Sequence, residues 1–238
     1  MTRRLLLLSS SRDANGVYLL HSASAIRSLL GNAIRRALFI PYAGVTIAHP
    51  EYARRAAIPF AELDYDLESI GDAADPATAL ENAEAIVVGG GNTFQLLATL
   101  HDRELLGVIR ARVHAGVPYI GWSAGAVIAA PTIGTTNDMP IIEPKSLRAL
   151  NLIPFQINAH YTDFHQPGHQ GETRAERLEE YIEVNRTVRV VGLREGCSLR
   201  IIDDAIALEG SGTASVFSYG TPRAEYSAGD DLSILLRS

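Results

Sequence analysis

The chain of 238 residues is 47% hydrophobic and 20% charged, with a net charge of −6. That balance belongs to a globular domain with a sizeable core and excludes a disordered or fibrous chain. The acidic surplus points away from nucleic acid as a partner, and no apolar run nears the roughly 18 residues that a membrane span needs.

At the amino terminus, Arg3-Arg4-Leu5-Leu6-Leu7-Leu8 imitates a secretion signal. Four leucines fall short of the roughly 7 to 15 apolar residues of a true one, so the segment reads as a buried first strand of a cytoplasmic protein. Strand-sized apolar runs recur at 37–41, 85–88 and 117–121, and amphipathic stretches at 17–30, 49–57, 76–82, 93–100 and 105–115 predict helices between them. This alternation predicts an α/β fold, with a mostly parallel central sheet flanked by helices. Beyond residue 188 the texture changes to short apolar runs at 188–191, 198–202, 205–208 and 214–217, separated by Gly, Asp-Asp and Ser-Gly-Thr. These predict C-terminal antiparallel hairpins that close an edge of that sheet. Residues 131–171, interrupted by Pro131, Pro140, Pro144, Pro154 and Pro167, fit neither pattern and read as functional loops. No repeat or linker divides the chain, which predicts a single domain over 1–238.

Cys197 is the only cysteine, so internal disulfides and thiolate metal cages are absent, and the only lysine, Lys145, follows a proline and not the glycine of a phosphate loop. Chemistry is concentrated in Gly121-Trp122-Ser123-Ala124-Gly125, a G-x-S-x-G sequence between a predicted strand and a predicted helix. In such a turn the serine takes a strained conformation that exposes its hydroxyl, and the flanking glycines leave room for close backbone approach. The bland alternative is a tight turn whose serine merely caps the helix. A nucleophilic serine also needs a base, a group that orients the base, and donors for the oxyanion. Of seven histidines, His21, His49, His101 and His114 fall on predicted helices or polar turns and read as surface residues, whereas His160 ends a strand-like run over 155–161. His165 and His169 follow it, and the three together have the look of a metal site; Pro167 and Gly168 break the helix that would align them. The Gly89-Gly90-Gly91-Asn92-Thr93 run after the strand at 85–88 exposes backbone N–H groups at a helix start, suited to an oxyanion or a substrate carboxylate. Its lack of a third spaced glycine, Phe94 standing there, excludes a dinucleotide loop.

In this order, Gly89-Gly90-Gly91-Asn92-Thr93-Phe94-Gln95, Gly121-Trp122-Ser123-Ala124-Gly125, Thr136-Asn137-Asp138-Met139-Pro140, Gln156-Ile157-Asn158 with His160, Gly171-Glu172-Thr173-Arg174 and Glu195-Gly196 resemble peptidase E. That family comprises α-aspartyl dipeptidases, serine peptidases with a fold similar to class I glutamine amidotransferases. The resemblance implies Ser123 as nucleophile, His160 as general base, and Ala124 with Gly90 or Gly91 as oxyanion donors. For the residue that orients His160 it offers Glu195 and Asp138; the fold geometry favours Glu195, leaving Asp138 to bind the substrate ammonium or support the site. Arg174 becomes the grip for the aspartyl carboxylate, with Asn92 and Thr93 beside the substrate. Ala159 departs from the family, where a proline commonly precedes the histidine. The resemblance further implies small Asp-Xaa peptides as partners, no cofactor or metal, no nucleic acid or membrane, and a monomer or homodimer. The rival readings are a cyanophycinase-like β-aspartyl peptidase, a catalytically silent binding protein of the same fold, and a lipase-like esterase.

Overall fold

Leu5, Leu6, Leu7 and Leu8 are all completely buried in β1 (Arg4–Leu8), because this strand has neighbours on both edges and apolar layers on both faces. The structure is a computed structural model and describes residues 3–168 and 170–237. From β1 the chain passes through α1 (Ala23–Leu30), β2 (Arg36–Ile40), α2 (His49–Ala61), β3 (Asp66–Ser69), α3 (Pro76–Glu81), β4 (Ile86–Val88), α4 (Thr93–Asp102) and α5 (Leu105–His114) to β5 (Tyr119–Trp122) and a one-turn α6 (Ala124–Val127). After a long irregular stretch come β6 (Gln156–Tyr161), α7 (Arg174–Val184), β7 (Val190–Arg194), β8 (Cys197–Ile202), β9 (Ala205–Gly210), β10 (Thr213–Phe217) and β11 (Ala224–Ser227).

The central sheet runs β3-β2-β4-β5-β1-β8-β9. Its first five strands are parallel, and β8 and β9 turn antiparallel at the β1 edge. One apolar layer is built on Leu5, Leu7, Ile86 and Val88, the other on Leu6, Leu8, Phe39 and Val87, as alternation along each strand requires. The expected mostly parallel sheet flanked by helices is therefore present.

The carboxyl-terminal expectation is corrected in part. Only β8 and β9 form a hairpin on the central sheet; β7, β10 and β11 join β6 in a second sheet of order β11-β10-β7-β6, in which β6 and β7 are parallel. Residues 188–191 look like an edge strand in sequence, but their partners are Gln156 and Ile157 in β6, more than thirty positions back. Short-range spacing carries no information on such a pairing. The stretch 131–171 accordingly contains β6 and is not wholly loop. Polar β3 (Asp-Leu-Glu-Ser) gave no apolar signal, being the outer strand of the sheet. The helix expected over 17–30 is regular only from Ala23, after a single 3-10 turn at Leu20–Ser22.

The chain crosses from the second sheet to the central sheet between β7 and β8, through Glu195 and Gly196. Gly196 takes φ +77°, a left-handed conformation that suits glycine at so tight a reversal. This crossing brings the end of β7 against the carboxyl end of β1, where Leu193 O accepts from Ser9, on the rim where open α/β sheets carry their ligands.

Candidate active site

Ser123 sits between β5 and α6 at φ 52°, ψ −116°, outside the ordinary regions for a residue with a Cβ. The turn survives because its neighbours are glycines: a Cβ on Gly121 would lie 2.3 Å from the Gly125 carbonyl oxygen, and one on Gly125 would lie 2.2 Å from that of Val88. Leu8 O accepts the Ser123 N–H at 3.0 Å, and Ser123 O accepts from Ala126 and Val127, so the strained residue is fixed from both sides. The Ala124 N–H makes no backbone hydrogen bond among the described residues, and neither do those of Gly90 and Gly91. Gly90 lies against the serine, since a Cβ there would meet Ser123 Cβ at 2.9 Å.

His160 has a positive φ of 54° at an irregularity in the pairing of β6 with β7 between Ala159 and Tyr161. Such a bulge re-aims one side chain without disturbing the strand on either side. The backbone is held there by Ser9, at the end of β1: its hydroxyl accepts the His160 N–H at 2.8 Å and donates to Leu193 O at 2.7 Å. Ser9 is completely buried and ties the two sheets together beneath the histidine.

With this backbone, His160 Nε2 lies 2.9 Å from Ser123 Oγ and His160 Nδ1 lies 2.7 Å from Glu195 Oε1. Glu195 orients the ring from the solvent side, its side chain 67% exposed against 38% for His160. Asp138, the other claimant, makes no hydrogen bond to His160 among the described residues. Its Oδ2 accepts from the Thr93 N–H at 2.7 Å, from Thr93 Oγ1 and from Thr136 Oγ1, bracing the start of α4. The preceding Asn137 donates to Ala159 O at 2.9 Å and accepts from Asn158 Nδ2 at 3.0 Å, so the irregular segment is stitched onto the strand that carries His160.

Ser123, Ala124, His160, Thr93, Asp138 and Arg174 together line a cleft of about 240 Å³. Arg174 opens α7 behind Thr173, whose side chain makes a reciprocal capping box with Glu176. A cation in the first turn of a helix opposes the helix dipole. The Arg174 guanidinium is half-buried, with Nη1 enclosed and lacking a hydrogen-bond partner among the described residues. Burial and then the nearby Arg177 charge lower its pKa, while Glu195 raises it. Such a group is ready for an anion.

Asn92 is placed differently from the expectation. Its Oδ1 caps α4 by accepting from the Gln95 N–H at 3.0 Å and its Nδ2 donates to Met139 O at 2.8 Å, so its side chain is engaged in local structure beside Gly90 and Gly91. Of the histidines expected at the surface, His21 has both ring nitrogens buried, and desolvation holds its pKa down. His169 lies outside the described residues, and among the described residues no three His, Cys, Asp or Glu side chains cluster to hold a metal. No helix among them is long and apolar enough to cross a membrane. Sequence reasoning passed over Ser9, although three serines after the first buried strand, at the rim of a parallel sheet, were a usable signal.

The fold is similar to that of a peptidase from an acI-B1 Actinobacterium, with a TM-score of 0.72 over 98% of this chain and 97% of that one, at 19% identity. Closer in sequence are a peptidase E of Nostoc sp., 46% identical over 99% of this chain and 98% of its own, and one of Shewanella amazonensis, 47% identical over 99% and 100%. Residues 5–209 match the sequence profile of Peptidase family S51. That match takes in the serine turn, the histidine bulge and the Glu195 crossing alike, and the chain belongs to peptidase family S51.

Proposed function

We propose that this serine peptidase is an α-aspartyl dipeptidase that hydrolyses Asp-Xaa through an aspartyl ester on Ser123. The observation that carries the reading is the relay from Ser123 through His160 to Glu195, whose serine and histidine share a cleft with Arg174, the Nη1 of which has no hydrogen-bond partner among the described residues. The relatives named peptidase E, matched over nearly the whole chain, support it.

In this reading the substrate's aspartyl side chain pairs with Arg174, a planar donor fork matched to a carboxylate. His160 Nε2 takes the proton of Ser123 as Oγ attacks the aspartyl carbonyl carbon, and Glu195 stabilises the imidazolium through Nδ1. The N–H groups of Ala124 and of Gly90 or Gly91 receive the oxyanion, at about 2.7 to 4 kcal/mol per donor by analogy with other enzymes. His160 returns its proton to the leaving amine as the C–N bond breaks; water, deprotonated by the same imidazole, then hydrolyses the ester. Asp138 keeps Thr93 and the cleft wall in place and offers its remaining oxygen to the substrate ammonium. No step needs a metal or organic cofactor. The whole chain acts as one domain, in the cytoplasm.

The test is a panel of Asp-Leu, its β-linked isomer, Asn-Leu and Glu-Leu, with and without chelator. Cleavage of Asp-Leu far ahead of the other three, unchanged by chelator, is expected. Preference for the β-linked isomer would replace the reading with a β-aspartyl peptidase, and inhibition by chelator would return the metal reading.

A further inference from the structure

We propose that Tyr52 is a positioning residue for oxyanion stabilisation: its hydroxyl pins the Gly90–Gly91 peptide so that the Gly91 N–H faces the carbonyl attacked by Ser123. The inference rests on the serine peptidase reading above and adds a residue from α2, far from the serine turn in sequence.

Tyr52 is 9% exposed and lies behind the glycine run, its ring edge-on to Phe39 at 5.1 Å, while Phe39 stacks on Trp122 at 5.7 Å. Its hydroxyl hydrogen-bonds with Trp122 Nε1 at 3.0 Å and with Gly90 O at 3.0 Å, and the buried Tyr18 hydroxyl faces it as a further donor. The indole N–H only donates. The hydroxyl therefore accepts from Trp122, and its single proton is directed at Gly90 O. Burial raises the Tyr52 pKa, so that proton stays in place at working pH.

The consequence follows from peptide geometry. The Gly90–Gly91 bond is trans, so with the carbonyl held against Tyr52 the Gly91 N–H points the opposite way. Sterics alone do not fix this peptide. Gly91 has φ +136° and no Cβ, since one would lie 2.1 Å from Ala43 O, and a glycine pair turns over at little cost. A turned peptide would present Gly90 O to the developing oxyanion, replacing an attraction by a repulsion. The clamp also spans the two donor elements, since Trp122 immediately precedes Ser123 and Gly90 packs on it.

Tyr52→Phe keeps the ring and removes the clamp. The expected result on Asp-Leu is a kcat lower by about 10- to 100-fold, less than the 10²- to 10³-fold loss of a donor removed outright, with KM within threefold. The pH profile keeps its shape, because His160 and Glu195 are untouched. An aspartyl aldehyde, which adds to Ser123 and forms a tetrahedral oxyanion, loses affinity by a similar factor while the product aspartate does not. A kcat within twofold of wild type, or equal losses for aldehyde and aspartate, overturns the proposal. If the variant does not fold, Trp122→Phe carries the test by removing the donor that directs the hydroxyl; a kcat-selective loss supports the clamp and an unchanged kcat overturns it. Wild-type enzyme inactive on Asp-Leu, or activity surviving Ser123→Ala, overturns the underlying reading and this one with it. Wild type active, Ser123→Ala inactive and Tyr52→Phe unimpaired refutes the clamp alone.

Discussion

Arg174 is exposed to the most demanding test, because its functional and structural readings predict opposite changes in stability. Arg174→Met keeps the aliphatic stem and removes the guanidinium. A carboxylate gripped by two charge-assisted hydrogen bonds gains roughly 1.5 to 3 kcal/mol from each. The half-buried setting places the pair toward the lower end, about 3 kcal/mol in total. At 1.36 kcal/mol per factor of ten this is about a 150-fold fall in kcat/KM for Asp-Leu, with the preference over Asn-Leu collapsing alongside. The folded protein has little to lose in exchange: Nη1 has no hydrogen-bond partner among the described residues, and burial, the Arg177 charge and the α7 dipole together outweigh the attraction of Glu195. The melting temperature is therefore expected to hold or rise. Steady-state kinetics on Asp-Leu and Asn-Leu beside a thermal melt read both halves. A kcat/KM within threefold of wild type, or a clear drop in melting temperature with selectivity intact, refutes the assignment.

Glu195→Gln and Asp138→Asn separate the two claimants for the third position. The first is expected to lower kcat by up to about 10⁴-fold, the loss seen when the orienting carboxylate of a serine triad becomes an amide, with little change in melting temperature, since Glu195 is largely exposed. The second is expected to cost roughly 1 to 3 kcal/mol of stability, read by denaturant unfolding, because it weakens the acceptor shared by Thr93 and Thr136; the reverse pattern would exchange the roles. Gly125→Ala is expected to abolish soluble folded protein, measured by expression and circular dichroism, since its Cβ has nowhere to go. Behind Glu195, Arg194 and Arg223 bind Asp163 and Glu225. For Glu225, burial raises the carboxyl pKa, but hydrogen bonds from Arg194 and Ser215 and the two arginine charges outweigh it and hold it below its ordinary 4.5. A folded value below the unfolded one gives stability that is present above pH 4.5 and lost as pH falls through the folded value. Melting curves of Glu225→Gln should show a shallower loss of stability below pH 4.5 than wild type; identical slopes would remove Glu225 from the acid response.

Local signals in this chain were reliable where a single strand or turn decides the outcome. The four leucines of β1, the serine turn with its two glycines and the capped start of α4 are each specified by neighbours within a few residues. The second sheet was invisible because its parallel pairing, β6 with β7, joins segments separated by a helix, and register across such a distance leaves no short-range periodicity. In the site, Ser123 and His160 carry functional groups that announce themselves. Their supports announce themselves less: Ser9 beneath the His160 bulge bonds the backbone at both His160 and Leu193 and is marked only by the serines that follow β1, and Tyr52 behind Gly90 acts through one backbone hydrogen bond that composition does not foreshadow. Asp138 and Glu195 were indistinguishable as carboxylates. The crossing between sheets puts Glu195 at the imidazole and leaves Asp138 on Thr93.

The central claim is that Ser123 is the nucleophile, activated by His160 at 2.9 Å. The most direct measurement is kcat/KM for Asp-Leu in Ser123→Ala beside wild type, in the presence of chelator, with circular dichroism confirming the fold. The account predicts a fall of at least about 10⁴-fold, the scale expected when a nucleophile is removed. Activity within tenfold of wild type would contradict it.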